Sequence, residues 1–252
     1  MRLLVLSDIH ANLEALEACL AAAPECDVVA NLGDIVGYAA SPNEVIERSR
    51  SLGNIFVRGN HDRACSDSEG PIGFNPIAAA AVRWTRAALS AENLAWLHSL
   101  PTGPVHEPRL PEVGFVHGSP QDEDEYLLRE YGAEQAFKHT STRVTFYGHT
   151  HIQEAYEQRD GLVERLMPAC HTSTGSSQVA QLPLEPGARY LINPGSVGQP
   201  RDRDPRAAFA VYDREANSVS FYRVRYDVKL AQERIMNAGL PAQLALRLAE
   251  GR

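Results

Sequence analysis

Residues 2–12 read Arg-Leu-Leu-Val-Leu-Ser-Asp-Ile-His-Ala-Asn. The first five make a compact, mostly apolar strand, and the run stops on Asp8 and His10, two side chains of metal-binding type. A stretch of helical composition, 11–22, follows at once. Strand, polar turn and helix open a βαβ unit, and the texture repeats. Strand 27–32 leads to helix 42–52, which has proline in its first turn, and then to strand 54–58. Segments 76–89 and 91–100 read as helices, the second opened by Ser90 with a carboxylate in its first turn. Strands at 112–116 and 143–147 are separated by an acidic stretch, 121–126, and a further helix.

After that the texture changes. Strands at 189–192, 207–212 and 219–225 are joined by turn-rich loops without long helices, so this half is more antiparallel. Two short amphipathic helices, 228–238 and 241–249, close the chain, and their pattern fits capping the fold or pairing two chains equally well. With no repeat, low-complexity tract or linker, one α/β domain over residues 1–252 is the expectation.

Composition excludes several classes of function. Lys and Arg number 24 against 32 Asp and Glu, a formal net charge of −8. That surface repels long polyanions and argues against a processive nuclease, but not against a small phosphorylated substrate at a metal site. Four scattered cysteines, Cys19, Cys26, Cys65 and Cys170, form no C-x-x-C pair and no disulfide framework. A reducing cytoplasm is the expected setting. The apolar run 3–6 is far shorter than a signal-peptide core, and no stretch approaches the ~18 to 20 apolar residues that span a bilayer.

The residues that carry chemistry all fall just after expected strands: Asp8 and His10, Gly33-Asp34, Gly59-Asn60-His61-Asp62, His117-Gly118, and Gly148-His149-Thr150-His151. The carboxyl ends of strands in an open α/β sheet line one crevice, so these turns converge. Five of the nine histidines sit in them. Asp8 and His10 are two residues apart, as are His149 and His151; in extended chain such pairs project to one side and share an ion. The flanking glycines let the backbone turn tightly and ions approach. Mixed carboxylate and imidazole ligands suit manganese, iron, zinc or nickel rather than magnesium or calcium.

Asp-x-His, Gly-Asp, Gly-Asn-His-Asp, a later His and Gly-His-Thr-His, in that order over residues 2 to 151, resemble the calcineurin-like metallophosphoesterase superfamily. The run from Asn193 through Pro194-Gly195-Ser196-Val197-Gly198-Gln199 to Asp202 is similar to its small bacterial and archaeal phosphodiesterase-like branch, the YfcE-like proteins included. The resemblance implies a four-layer α/β/β/α sandwich of two mixed β-sheets flanked by helices. It implies that Asp8, His10 and His151 hold one divalent ion, that Asn60, His117 and His149 hold a second, and that Asp34 bridges both. Two ions roughly 3.5–4 Å apart clamp a phosphate and bring a bridging water's pKa toward neutrality, giving a hydroxide that attacks phosphorus. Manganese is the leading expectation for both. His61 is not a ligand in this scheme; it faces the substrate and protonates the leaving oxygen, the alternative being a residue that supports a ligand carboxylate. The run Gly33-Asp34-Ile35-Val36-Gly37-Tyr38-Ala39 lacks the Asp and Arg of Gly-Asp-x-x-Asp-Arg-Gly, which argues against a protein phosphatase and leaves Asp62 as the candidate to orient His61.

Other residues carry two readings each. Asn12 opens a helix or faces the phosphate; Arg201 reaches an anionic substrate or pairs with Asp202 or Asp204. Arg58 is the second candidate clamp. Cys65 is read as a buried free thiol, the acidic run 122–125 as a solvated face rather than a lid, and His98, His106, His139 and His171 as surface or packing residues. The expected function is a phosphodiesterase acting on small, nucleotide-type substrates. Its rivals are a phosphomonoesterase, a dinucleoside polyphosphate hydrolase and a non-catalytic metal-site scaffold.

Overall fold

Leu3, Leu4, Val5 and Leu6 are all buried, and they point alternately to two different cores. A strand apolar on both faces has to lie inside layers on both sides, and β1 (Arg2–Leu6) does. The computed structural model describes residues 1–53, 55–168 and 177–252; Asn54, Cys170 and His171 lie outside the described residues. β1 pairs in parallel with β2 (Val28–Asn31), and β2 with β3 (Ile55–Phe56). On its other side β1 meets β11 (Ala207–Asp213) antiparallel, Leu4 opposite Val211. β12 (Ser218–Val224) and β9 (Ser177–Pro183) complete the order β3-β2-β1-β11-β12-β9.

The second sheet has the order β4-β5-β6-β10-β7-β8. Its strands are β4 (Val105–His106), β5 (Val113–Phe115), β6 (Val144–Phe146), β10 (Arg189–Pro194), β7 (Gln153–Arg159) and β8 (Leu162–Leu166). Parallel pairing of β5, β6 and β10 gives way to antiparallel pairing of β10, β7 and β8. Leu3, Val5, Phe115, Phe146, Tyr212 and Phe221 fill the space between the two sheets.

Helices cover both outer faces. α1 (Leu13–Ala22), α2 (Pro42–Leu52), α3 (Asn60–Ser66), α4 (Pro76–Ala88) and α5 (Ala91–His98) pack on the first sheet through Leu16, Ile46, Cys65, Val82 and Leu97. α6 (Glu130–Lys138) covers the second through Ala133 and Phe137. This is the four-layer α/β/β/α arrangement with two mixed sheets. α7 (Val228–Asn237), α8 (Ala242–Leu246) and a 3-10 turn (Arg247–Ala249) pack Ile235, Leu244 and Leu248 against Ala11, Tyr38 and Ala81, so the C-terminal helices cap the sandwich. Among the described residues no helix is long and apolar enough to cross a membrane.

Departures from expectation have local causes. α3 starts inside what reads as a ligand turn, because Asp62 folds back to accept from the Gly59 N–H at the helix start. β7 and β8 escape a hydropathy reading because β7 is polar. Its Glu154 is wholly buried, yet accepts from Tyr147 at 3.0 Å and from Arg165 at 2.6 Å. The hairpin joining them turns on Asp160-Gly161, both at positive φ. Phe146 lies wholly buried between the sheets, stacked on Phe115 and near Tyr212. Phe146→Ala is expected to cost ~3–5 kcal/mol of stability, read as a lowered midpoint in urea denaturation.

Candidate metal centre

The site forms where strand ends of both sheets meet, and the backbone there is unusual. Asp8, His10, Asp34, His149 and His151 all have positive φ, between 50° and 65°, as do Ala11 and Tyr38. Left-handed backbone costs a non-glycine residue roughly 1–3 kcal/mol, and such residues gather where a function over-determines them. The extended geometry expected for Asp8–His10 and His149–His151 is therefore not what brings each pair together. Each strand ends in a tight left-handed turn, and the turns are tied to one another. Asp8 and His10 donate their N–H groups to the Gly33 and Asp34 carbonyls, Gly148 to that of His117, and Gly198 to that of Asp8.

The 193–199 run holds these turns in place. The Asn193 amide bonds the Gly148 carbonyl at 2.8 Å and the Thr150 hydroxyl at 3.0 Å, and the Ser196 hydroxyl donates to the Asp8 carbonyl at 2.8 Å. A Cβ at Gly198 would lie 1.8 Å from the Ile9 carbonyl oxygen, and one at Gly59 would lie 2.2 Å from Asp34 N. Only glycine admits either contact.

Two groups of candidate ligands result, Asp8, His10, Asp34 and His151, and Asp34, His117 and His149, with ligand atoms in each within 4.8 Å of one another. Asp34 belongs to both. His10 Nε2 lies 3.5 Å from Asp34 Oδ2 and 3.2 Å from His151 Nε2, which is 3.3 Å from Asp8 Oδ1. The Nδ1 atoms of His10, His117 and His151 face the carbonyls of Val36, Leu32 and Gln199 at 3.0, 2.8 and 2.6 Å. With the proton on Nδ1, every Nε2 presents a lone pair to its neighbours and to the carboxylates. Such a cluster of inward-facing acceptors is suited to a cation at its centre. His149 is fixed the other way round: Nε2 meets the Asp124 carbonyl at 3.1 Å, which leaves Nδ1 as its lone-pair atom. Asn60 completes the second group, its Oδ1 3.2 Å from His117 Nε2.

Electrostatics agree. Burial holds His10 and His151 well below the ordinary imidazole range and His149 down to about 3, which keeps them in the neutral, metal-binding form. Burial also raises Asp8 to about 6. Asp34 is buried too, yet His117 and His61 hold its carboxyl well below the usual value. Burial opposes charge on His117, but Asp34 at 3.5 Å, with Asp8, outweighs it and raises the imidazole to about 10, so a metal ion has to displace the Nε2 proton of this ring before His117 can bind it. The pocket stabilises positive charge strongly.

His61 sits beside this centre. Its N–H donates to Asp34 Oδ1 at 2.8 Å, and its ring packs against Tyr38, His10 and Phe74 with Nδ1 buried and unpartnered. Asp62 does not orient it: Oδ1 accepts from the Ile35 and Val36 N–H groups and Oδ2 from Gly59, so this carboxylate braces backbone. Asn12 takes the helix-start role, Oδ1 accepting from Ala15 N and Nδ2 donating to the Gly198 carbonyl. Arg58 is bonded to Glu123. Arg201 pairs with neither Asp202 nor Asp204, which bind Arg223 and Arg206. It donates to Gln199 Oε1 and the Tyr38 hydroxyl, and its Nε is buried without a partner. Cys65 is a buried free thiol, and His98, His106 and His139 are exposed.

A cavity of about 310 Å³ opens over the centre, lined by His61, His149, Tyr38, Arg63 and Tyr126 among others. The acidic run is a solvated face only in part, with Asp122 and Asp124 exposed. Glu123 is buried against Arg58 and Arg63, the Asp124 carbonyl fixes His149, and the Tyr126 ring lies 3.9 Å from that imidazole. The contributions of Tyr38, Tyr126, the Asp124 carbonyl and Ser7, whose hydroxyl bonds Asp8 Oδ2 at 2.7 Å, have no signature in the sequence.

Residues 1–217 match the model of the calcineurin-like phosphoesterase superfamily domain. The chain is 36% identical over 252 residues to an uncharacterized protein of Methanocaldococcus jannaschii, covering 98% of this chain and 97% of that one. A solved metallophosphoesterase from Sphaerobacter thermophilus is 41% identical, with a TM-score of 0.87 over 100% of this chain and 99% of that one. The fold is also that of a hypothetical protein from Pyrococcus horikoshii, 24% identical, TM-score 0.78, covering 100% and 98%. Similarity along its whole length, together with buried metal-ligating groups where strand ends meet, shows that the chain belongs to the calcineurin-like phosphoesterase superfamily.

Proposed function

We propose that the chain, as one domain over residues 1–252, is a dinuclear-metal phosphodiesterase acting on small, nucleotide-type substrates. The observation that carries this reading is the sharing of Asp34 between two donor groups whose imidazole lone pairs are already aimed inward. Asp8, His10 and His151 would hold one divalent ion and Asn60, His117 and His149 the other, manganese first among the candidates. When bound, such a pair supplies Lewis acidity and a nucleophilic water at neutral pH.

The chain's own groups do the rest. Arg201, whose charge reaches Asp8 and whose Nε is buried without a partner, is the remaining cationic clamp for a phosphoryl oxygen. The engagement of Arg58 by Glu123 removes one of two clamps for a dianionic monoester, which favours the diester. His61 lines the cavity and hands a proton to the leaving oxygen. Burial holds its imidazolium down to about 4 against the pull of Asp34, so that transfer waits for an anionic substrate to offset the burial.

Bis-p-nitrophenyl phosphate and p-nitrophenyl phosphate, given to metal-stripped and manganese-loaded protein, test the reading. Manganese-dependent cleavage is expected, faster on the diester; cleavage of the monoester alone would sink the diesterase assignment. His61→Ala should lower kcat by about 10²–10⁴-fold with metal content intact. Asp34→Asn should lose both activity and bound manganese, counted by elemental mass spectrometry. Two ions bound without turnover of any ester would make the protein a metal-site scaffold.

A further inference from the structure

The Tyr38 ring forms part of the wall of the metal centre, its centroid 4.6 Å from that of His10 and 4.3 Å from that of His61. Two guanidiniums flank it, Arg201 with its central carbon 5.9 Å from the ring centroid and Arg247, from the C-terminal 3-10 turn, at 5.8 Å. Neither bonds a side-chain carboxylate among the described residues. Arg201 donates to Gln199 Oε1 and to the Tyr38 hydroxyl, and Arg247 Nε donates to the Arg252 carbonyl. The nearby carboxylates are engaged elsewhere: Asp202 with Arg223, Asp204 with Arg206, Glu250 with Arg252. Burial, and then the Arg201 charge, hold Arg247 below its ordinary value. The Arg201 charge acts on Asp8, a carboxylate that metal ions at the centre would neutralise, and two guanidiniums on one ring then favour an anion.

Space for the rest of a ligand adjoins this pair. Tyr38, Asn75 and Ala78 line both the cavity over the metal centre and a second cavity of about 570 Å³. Arg247 borders the second, with Ile77, Leu244 and Leu246 as its apolar wall. Metal ligands, the arginine-flanked Tyr38 and a chamber bordered by Arg247 thus adjoin one another.

We propose that Arg201, Tyr38 and Arg247 form a second anion subsite, which takes a phosphoryl group adjoining the one held at the metal ligands. The organic part of the substrate lies against Ile77, Leu244 and Leu246. The inference rests on the phosphoesterase reading and narrows it to polyphosphate-linked, nucleotide-like substrates, with Arg247 determining specificity.

Calorimetric titration of the manganese-loaded chain with AMP and with ADP, metal in excess, tests it. ADP can occupy both positions and AMP only one, so wild type should bind ADP about tenfold tighter or more, the size of a charge-assisted hydrogen bond. Arg247→Met should bring the two affinities together, and Arg247→Lys should keep most of the difference. Equal binding of AMP and ADP by wild type overturns the subsite, whether or not the variants fold. A preference for ADP that survives Arg247→Met overturns the role of Arg247. Hydrolysis of bis-p-nitrophenyl phosphate is followed in parallel. If no ester is cleaved while the preference for ADP depends on Arg247, the phosphoesterase reading fails and the subsite stands.

Discussion

The Nδ1 atoms of His10, His117 and His151 each end on a backbone carbonyl, and the rest of the centre depends on that constraint. An imidazole so held has one nitrogen left to offer, and its direction is set by the main chain rather than by a free rotamer. Because the carbonyls belong to Val36, Leu32 and Gln199, the turn that carries Asp34 also directs His10 and His117, while a loop that carries no ligand directs His151. The carboxylates then have little choice. Asp34 lies between imidazoles on both sides, and Asp8 is held by Ser7 and the His149 N–H.

Holding seven polar side chains inward in buried surroundings is costly, and so is the left-handed backbone that does it. The sandwich supplies the offset. Two six-stranded sheets among the described residues enclose a continuous aromatic and aliphatic layer, and helices seal the outer faces. The cost is concentrated where strands of both sheets end. A polar brace joins the sheets nearby: Gln153 of β7 reaches the Pro194 and Tyr222 carbonyls, and Arg223 of β12 bonds Gln153 and Asp202.

The central strands and most helices were legible because their burial is apolar and periodic. β1 alternates between two cores, and α5 is capped by Ser90, whose hydroxyl accepts from Asn93 N. The ligand set was legible for a different reason: imidazoles and carboxylates at five successive strand ends have few other uses. β7 was not, because its burial runs through Glu154–Arg165 and Gln153–Arg223 pairs that a hydropathy pattern reads as surface. The turn pair Asp160-Gly161 is a hairpin cue, but between two strands that look polar it does not read as one. Nor does sequence announce a backbone carbonyl as a functional group. The Asp124 oxygen that sets the His149 tautomer, and Tyr38 lying between two arginines, arise only from tertiary packing.

The Ser196 hydroxyl that grips the Asp8 carbonyl comes from 188 residues farther along the chain, and β1 waits equally long for its antiparallel neighbour β11. At a ribosome adding about 5–20 residues per second, the first strand and its two metal-seeking side chains spend many seconds without those partners. Closure over so long a separation is entropically slow. During that interval Asp8 and His10 belong to an open chain end on which any passing divalent ion finds only part of its final cage. The order of synthesis thus keeps the centre incomplete until nearly four-fifths of the polypeptide exists, and loading with metal becomes one of the last events in the protein's maturation.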